Sequence, residues 1–166
     1  MSGAVIWLTG LPSSGKSTLA QRVRARLLET GVVPAVLDGD ELRALVPSLL
    51  FDDASRVRFY EIVAQLAALL AGQGLVVLVP ATAHRRALRA RARALAPRFV
   101  DVYVTTALAE CERRDPKGLY ARARKGEALH LPGVGEPYEL PESPDVVASG
   151  GADAAAAERI VAMVTR

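Results

Sequence analysis

The chain has 166 residues, a formal charge of +3 at neutral pH and 51% hydrophobic residues, an ordinary globular composition expected to form one domain over residues 1–166. Its single cysteine excludes a disulfide framework and fits a reducing compartment. No stretch approaches the roughly 20 apolar residues of a membrane span, and the short apolar run near the N-terminus has no basic leader, so neither a membrane partner nor a signal peptide is expected and the location reads as cytoplasmic.

Ala4-Val5-Ile6-Trp7-Leu8 reads as a strand, and residues 17–30 carry apolar side chains at helical spacing. Between them stands Gly10-Leu11-Pro12-Ser13-Ser14-Gly15-Lys16-Ser17-Thr18, which satisfies G-x-x-x-x-G-K-[ST] with the required strand before it and helix after it. Gly10 and Gly15 permit backbone conformations that a Cβ would hinder. Loop amides, backed by the positive end of the following helix, then face phosphate. Lys16 supplies a cation for the β- and γ-phosphates, and the Ser17 hydroxyl is suited to hold Mg²⁺. Binding of a nucleoside triphosphate with Mg²⁺ is the expectation.

A second strand at residues 35–37 runs into Asp38-Gly39-Asp40-Glu41-Leu42-Arg43. Ligands of open parallel sheets bind beyond the carboxyl ends of the strands, so Asp38 and Asp40 emerge on the same edge as the glycine loop. A carboxylate there can take the proton of an attacking hydroxyl and help place Mg²⁺, while Arg43 can grip an anionic acceptor. Asp-Gly-Asp is also good turn chemistry and could be only that.

A long helix is predicted around residues 57–71, on which Phe59 and Tyr60 read as core residues, followed by a strand at 75–79. Gly31, Gly72 and Gly74 fall where helices give way to strands. Residues 85–96 form an arginine-rich helix whose apolar face uses Ala87, Leu88, Ala92 and Leu95, with its arginines on the solvated side. No aromatic residues interleave with the arginines and acidic residues nearly balance them, so nucleic acid is not expected as a partner. His84, just before this helix, reads as a satisfied surface histidine. A strand at 100–104, a short helix at 110–114 containing a buried structural Cys111, a strand at 146–148 and a helix at 154–164 capped by Asp153 complete the alternation. Five apolar strands alternating with helices predict a three-layer α/β domain with a parallel sheet. Residues 116–144, rich in Gly and Pro, break the pattern as a short helix followed by a loop, the composition of a lid.

Within that region Glu112-Arg113-Arg114-Asp115-Pro116-Lys117-Gly118-Leu119-Tyr120 brings cations to the same edge, where they can stack on a purine or neutralise phosphate charge. Together with Gly10–Thr18, Leu37-Asp38-Gly39-Asp40 with Arg43, Ala123-Arg124-Lys125-Gly126-Glu127, Pro137-Tyr138-Glu139 and Pro141-Glu142-Ser143-Pro144-Asp145, this string resembles the adenylylsulfate kinase family in order over nearly the full length. The resemblance implies a P-loop kinase fold, a lid over about residues 115–139, and transfer of the ATP γ-phosphate to the 3′-hydroxyl of adenylyl sulfate. It implies Gly10–Thr18 as the ATP loop, Lys16 and Asp38 as catalytic residues, Ser17 as the Mg²⁺ ligand and Arg114 against the ATP purine. Asp40, Arg43, Phe51, Arg56 and Lys117 fall to the acceptor, and a homodimer is common in the family.

The acceptor half departs from the family pattern. Ser55, Phe59, Glu61 and Ile62 stand where the family carries Asp, Asn and an Arg pair, His84-Arg85 ends its Ser-Pro-aromatic-Arg segment, and Leu129 replaces a lysine. These changes remove positive charge from a site for an anion. The same fold acting on another hydroxyl, in a small metabolite or a different nucleotide, is the alternative. A nucleotide-binding domain without chemistry is a third reading, against which Asp38, Asp40 and Arg43 speak.

Overall fold

The computed structural model describes residues 3–46, 52–128 and 130–166. In chain order the elements are β1 (Ala4–Thr9), α1 (Lys16–Glu29), β2 (Ala35–Val36), α2 (Gly39–Leu45), α3 (Asp53–Gly72), β3 (Val76–Pro80), α4 (Arg86–Leu95), β4 (Phe99–Val104), α5 (Leu108–Arg114), α6 (Leu119–Arg124), β5 (Val146–Ala148) and α7 (Ala154–Val164). The five strands form one parallel sheet in the order β2-β3-β1-β4-β5. β1 lies at its centre, with Ile6 opposite both Leu78 and Val100, and every one of its side chains is buried.

Strand periodicity sorts the core into two layers. Ala4, Ile6 and Leu8 pack with Leu19, Val23 and Leu27 of α1 and with Ile160 and Val164 of α7. Val5 and Trp7 face the other way, onto Phe59, Val63 and Ala67 of α3 and Leu88 and Ala92 of α4. The Trp7 indole N–H donates to the Ala81 carbonyl at 3.2 Å, so the largest core side chain also has its polar atom satisfied. A strand whose two faces are both covered reads as a continuous apolar run, which is why residues 4–8 were legible.

The helix caps explain where the local reading falls short. Asp52 accepts from the Ser55 amide at 2.9 Å, so α3 begins several residues before its apolar periodicity does. Asp38 likewise accepts from the Asp40 amide at 3.0 Å and caps α2, so Asp-Gly-Asp opens a helix rather than a turn. Asp153 caps α7 as expected. Gly31 and Gly74 take positive φ beyond helix ends, whereas Gly72 is itself the last residue of α3. Phe59 and Tyr60 are core residues.

Two expectations for the arginine-rich helix are corrected. Ala87 is exposed, and Arg89 takes its place on the buried face. The Arg89 guanidinium donates to the carbonyls of Ala83 and Glu139, two loop acceptors that a helix wheel does not contain. His84 is not a surface residue either: it is fully buried.

Candidate active site

The loop between β1 and α1 is shaped by Gly15, which stands at the helix N-cap with φ of 99°. A Cβ on Gly15 would lie 2.6 Å from the Gly151 amide nitrogen, so chirality and space both require glycine there. Gly15→Ala is expected to lower unfolding free energy by about 2 kcal/mol or more, read by urea denaturation; a loss below about 0.5 kcal/mol would show that the loop relaxes freely. Because the N-cap is a glycine, no side chain caps α1, and its first amides remain available to an anion. Thr106 fixes the loop from below, its hydroxyl donating to the Ser14 carbonyl at 2.6 Å.

Lys16 folds back over this loop, Nζ donating to the carbonyls of Leu11 at 2.8 Å and Gly10 at 3.1 Å. Burial pushes its ammonium down to about 8; Lys117 adds to the shift, while Asp40 and Asp38 oppose it. An anion bound in the loop favours the charged form and raises that value. Nucleotide binding should therefore take up a proton above about pH 8, and affinity should be flat below that value and fall as pH rises past it. Calorimetry near pH 8.5 in buffers of different ionisation enthalpy checks the sign; proton release would contradict it.

Beside Lys16 the Ser17 hydroxyl donates to Asp38 Oδ2 at 2.7 Å. The loop serine and the first acidic residue after β2 are thus one unit, though they are 21 positions apart. Their oxygens are hard ligands of the kind Mg²⁺ selects, so the donor chemistry fits that ion. Asp40 pairs with Lys117, which ties α2 to the segment after α5. The Arg43 guanidinium lies 4.0 Å from the Phe59 ring centroid, so Phe59 supports Arg43 from the core side.

Asp115 accepts from the amides of Tyr120 and Ala121 at 3.1 and 3.0 Å and so caps α6. Gly118 takes φ of 66° at the N-cap, Lys117 reaches Asp40, and buried Tyr120 donates its hydroxyl to the Pro12 carbonyl at 2.7 Å. Leu131 completes the contact by packing with Cys111, Tyr120 and Leu11, and Cys111 is buried as expected. Further along, the Tyr138 hydroxyl lies 2.7 Å from Thr9 Oγ1 at the end of β1. The segment expected to be a lid therefore touches the glycine loop at Pro12 and Leu11 and the preceding strand at Thr9.

Arg56 on α3 donates to the His130 carbonyl at 2.9 Å, joining α3 to the same segment. Arg114 is exposed at the end of α5, with Nε donating to Glu110 Oε1 at 2.8 Å. Phe51 and Leu129 lie outside the described residues. Local reading missed Thr9, Thr106, Gly151 and the contacts of Tyr120 and Tyr138; only the ordered resemblance drew notice to the two tyrosines.

A glycine loop on the central strand, a lysine folded into it and a carboxylate joined to the loop serine define the P-loop kinase class of α/β proteins. Residues 2–149 match the Adenylylsulphate kinase family, and the chain belongs to that family. It is 47% identical over 150 residues to the adenylyl-sulfate kinase of Paraburkholderia xenovorans, covering 87% of this chain and 82% of that one. It is 46% identical over 169 residues to the bifunctional enzyme NodQ of Azospirillum brasilense, where it spans 98% of its own length but only 27% of the relative's. The Mycobacterium tuberculosis APS kinase CysC, solved in complex with AMPPNP and APS, has the same fold, with a TM-score of 0.90, 40% identity and 99% and 98% of the two chains covered. Among the described residues no helix is long and apolar enough to cross a membrane.

Proposed function

We propose that this chain transfers the γ-phosphate of ATP to the 3′-hydroxyl of adenylyl sulfate, with Mg²⁺ as the metal cofactor. The observation that carries the reading is the 2.7 Å contact between Ser17 and Asp38, which joins a phosphate loop to a carboxylate able to accept a proton. Gly10 to Thr18 hold the triphosphate through backbone amides, and Lys16 leaves its loop carbonyls to meet the outer phosphates. Ser17 and Asp38 would hold the ion, which would neutralise charge on the phosphate oxygens. Asp38 orients the acceptor hydroxyl and takes its proton. Arg43, Asp40, Arg56, Lys117 and Phe51 serve the acceptor, and Arg114 serves the ATP purine. Catalysis is positioning plus charge stabilisation, as phosphoryl transfer requires.

The family departures do not all weigh equally. Glu61 and Ile62 lie on the exposed side of α3, along an open groove with Ala54, Val57, Arg58 and Gln65, whereas Phe59 lies beneath Arg43. The 47% identity to an adenylyl-sulfate kinase supports adenylyl sulfate over a different acceptor. A coupled assay against adenylyl sulfate and a panel of nucleotides and small alcohols tests this. Saturable turnover of adenylyl sulfate that stops on chelation of Mg²⁺ is expected. Turnover of another hydroxyl alone would overturn the acceptor, and ATP binding without any turnover would overturn the chemistry. Two copies are expected to associate, and light scattering at twice the chain mass would support that pairing.

A further inference from the structure

The connection between β3 and α4 carries a buried histidine that the proposed chemistry does not use. Among the described residues neither ring nitrogen of His84 has a hydrogen-bond partner, although the residue is fully buried. Buried polar groups are nearly always partnered, so an unpartnered imidazole calls for an explanation. Its Nε2 points at Glu136 Oε1, 3.4 Å away, on the segment that covers the glycine loop. Asp53, the first residue of α3, completes the group: one ligand atom from each of Asp53, His84 and Glu136 lies within 4.8 Å of the other two. Three separate parts of the chain thus converge one imidazole and two carboxylates on one point.

The surrounding groups are Arg85, Arg56 and, on the far side of Glu136, His130. Arg85 Nη2 lies 2.7 Å from Asp53 Oδ1 and 3.2 Å from Glu136 Oε1, so its guanidinium is the resident counter-charge. Its side chain is 36% exposed and has a path to solvent. Arg56 is engaged by the His130 carbonyl, and His130 Nδ1 lies 3.7 Å from Glu136 Oε2. A mixed nitrogen and oxygen donor set suits Zn²⁺ and neighbouring transition ions, whereas Mg²⁺ prefers oxygen alone.

We propose that Asp53, His84 and Glu136 form a site for a divalent transition-metal ion of the zinc type, which displaces the Arg85 guanidinium and fastens the segment around Glu136 to the body of the domain. The site is distinct from the one at Ser17 and Asp38, and its test reads metal binding rather than turnover.

Tag-free protein, stripped with a chelator and dialysed, is titrated with zinc chloride by calorimetry in excess MgCl₂. One zinc per chain is expected, with affinity reduced about tenfold or more in both His84→Gln and Glu136→Gln. Arg85→Ala should bind zinc at least about threefold more tightly, because it removes the competing cation without removing a ligand. Absence of saturable binding, affinity in His84→Gln and Glu136→Gln equal to that of the unsubstituted protein, or weaker binding by Arg85→Ala would each overturn the proposal. Glu136 is only partly buried, so Glu136→Gln keeps the test decisive should His84→Gln fail to fold.

Discussion

Asp38→Asn is expected to lower kcat by roughly 10²- to 10⁴-fold while leaving ATP affinity within about threefold, the range for loss of a positioned general base. Asp38 has two tasks, one on each carboxylate oxygen. Oδ1 caps α2 through the Asp40 amide, and Oδ2 receives the Ser17 hydroxyl. Asparagine keeps an oxygen for the cap, so α2 should persist and the loss should fall on chemistry. Asp38→Ala adds the loss of the cap, about 1 kcal/mol, and should abolish turnover with a small fall in stability. Single-turnover rates with saturating substrates make the measurement. A variant at Asp38 with near-normal rates would remove that residue from the mechanism.

Lys16→Ala should lower kcat/KM by about 10³-fold or more and weaken ATP binding as well, if the cation serves both bound and reacting phosphates as proposed. Stability should barely move. In the free protein Lys16 is a partly buried ammonium held down to about 8, a charge the fold tolerates rather than needs. Its two bonds go to loop carbonyls, Gly10 and Leu11, that water can also reach once the side chain is gone. Unfolding free energy should therefore change by less than about 1 kcal/mol. A large fall in stability would make the lysine structural, and the kinetic loss would then say nothing about phosphate.

Lys16 is legible in the chain alone, and the reason is local. The spacing Gly10–Gly15–Lys16–Ser17 sits within one turn between a strand and a helix, so the chain itself holds those groups together. The five strands were legible for a related reason: a doubly covered parallel sheet selects unbroken apolar runs such as Val76 to Val79. α2 was not, because its seven residues bury nothing and its only strong signal, the Asp38 cap, is shared with turns. The arginine helix was half legible. Its apolar residues gave the period, but Arg89 turns inward toward carbonyls supplied by two loops.

The class of fold and the phosphate loop are written in the chain, since each depends on residues close together or on one repeated pattern, and Asp38 follows from the rule that ligands meet a parallel sheet at the carboxyl ends of its strands. That Ser17 and Asp38 touch, that Tyr120 reaches Pro12 across 108 positions and that His84 is buried facing Glu136 are facts of the folded chain alone. Those outcomes depend on strand order and on which loops close over the sheet edge. Spacing along a chain carries no record of a contact formed by closing a loop that long.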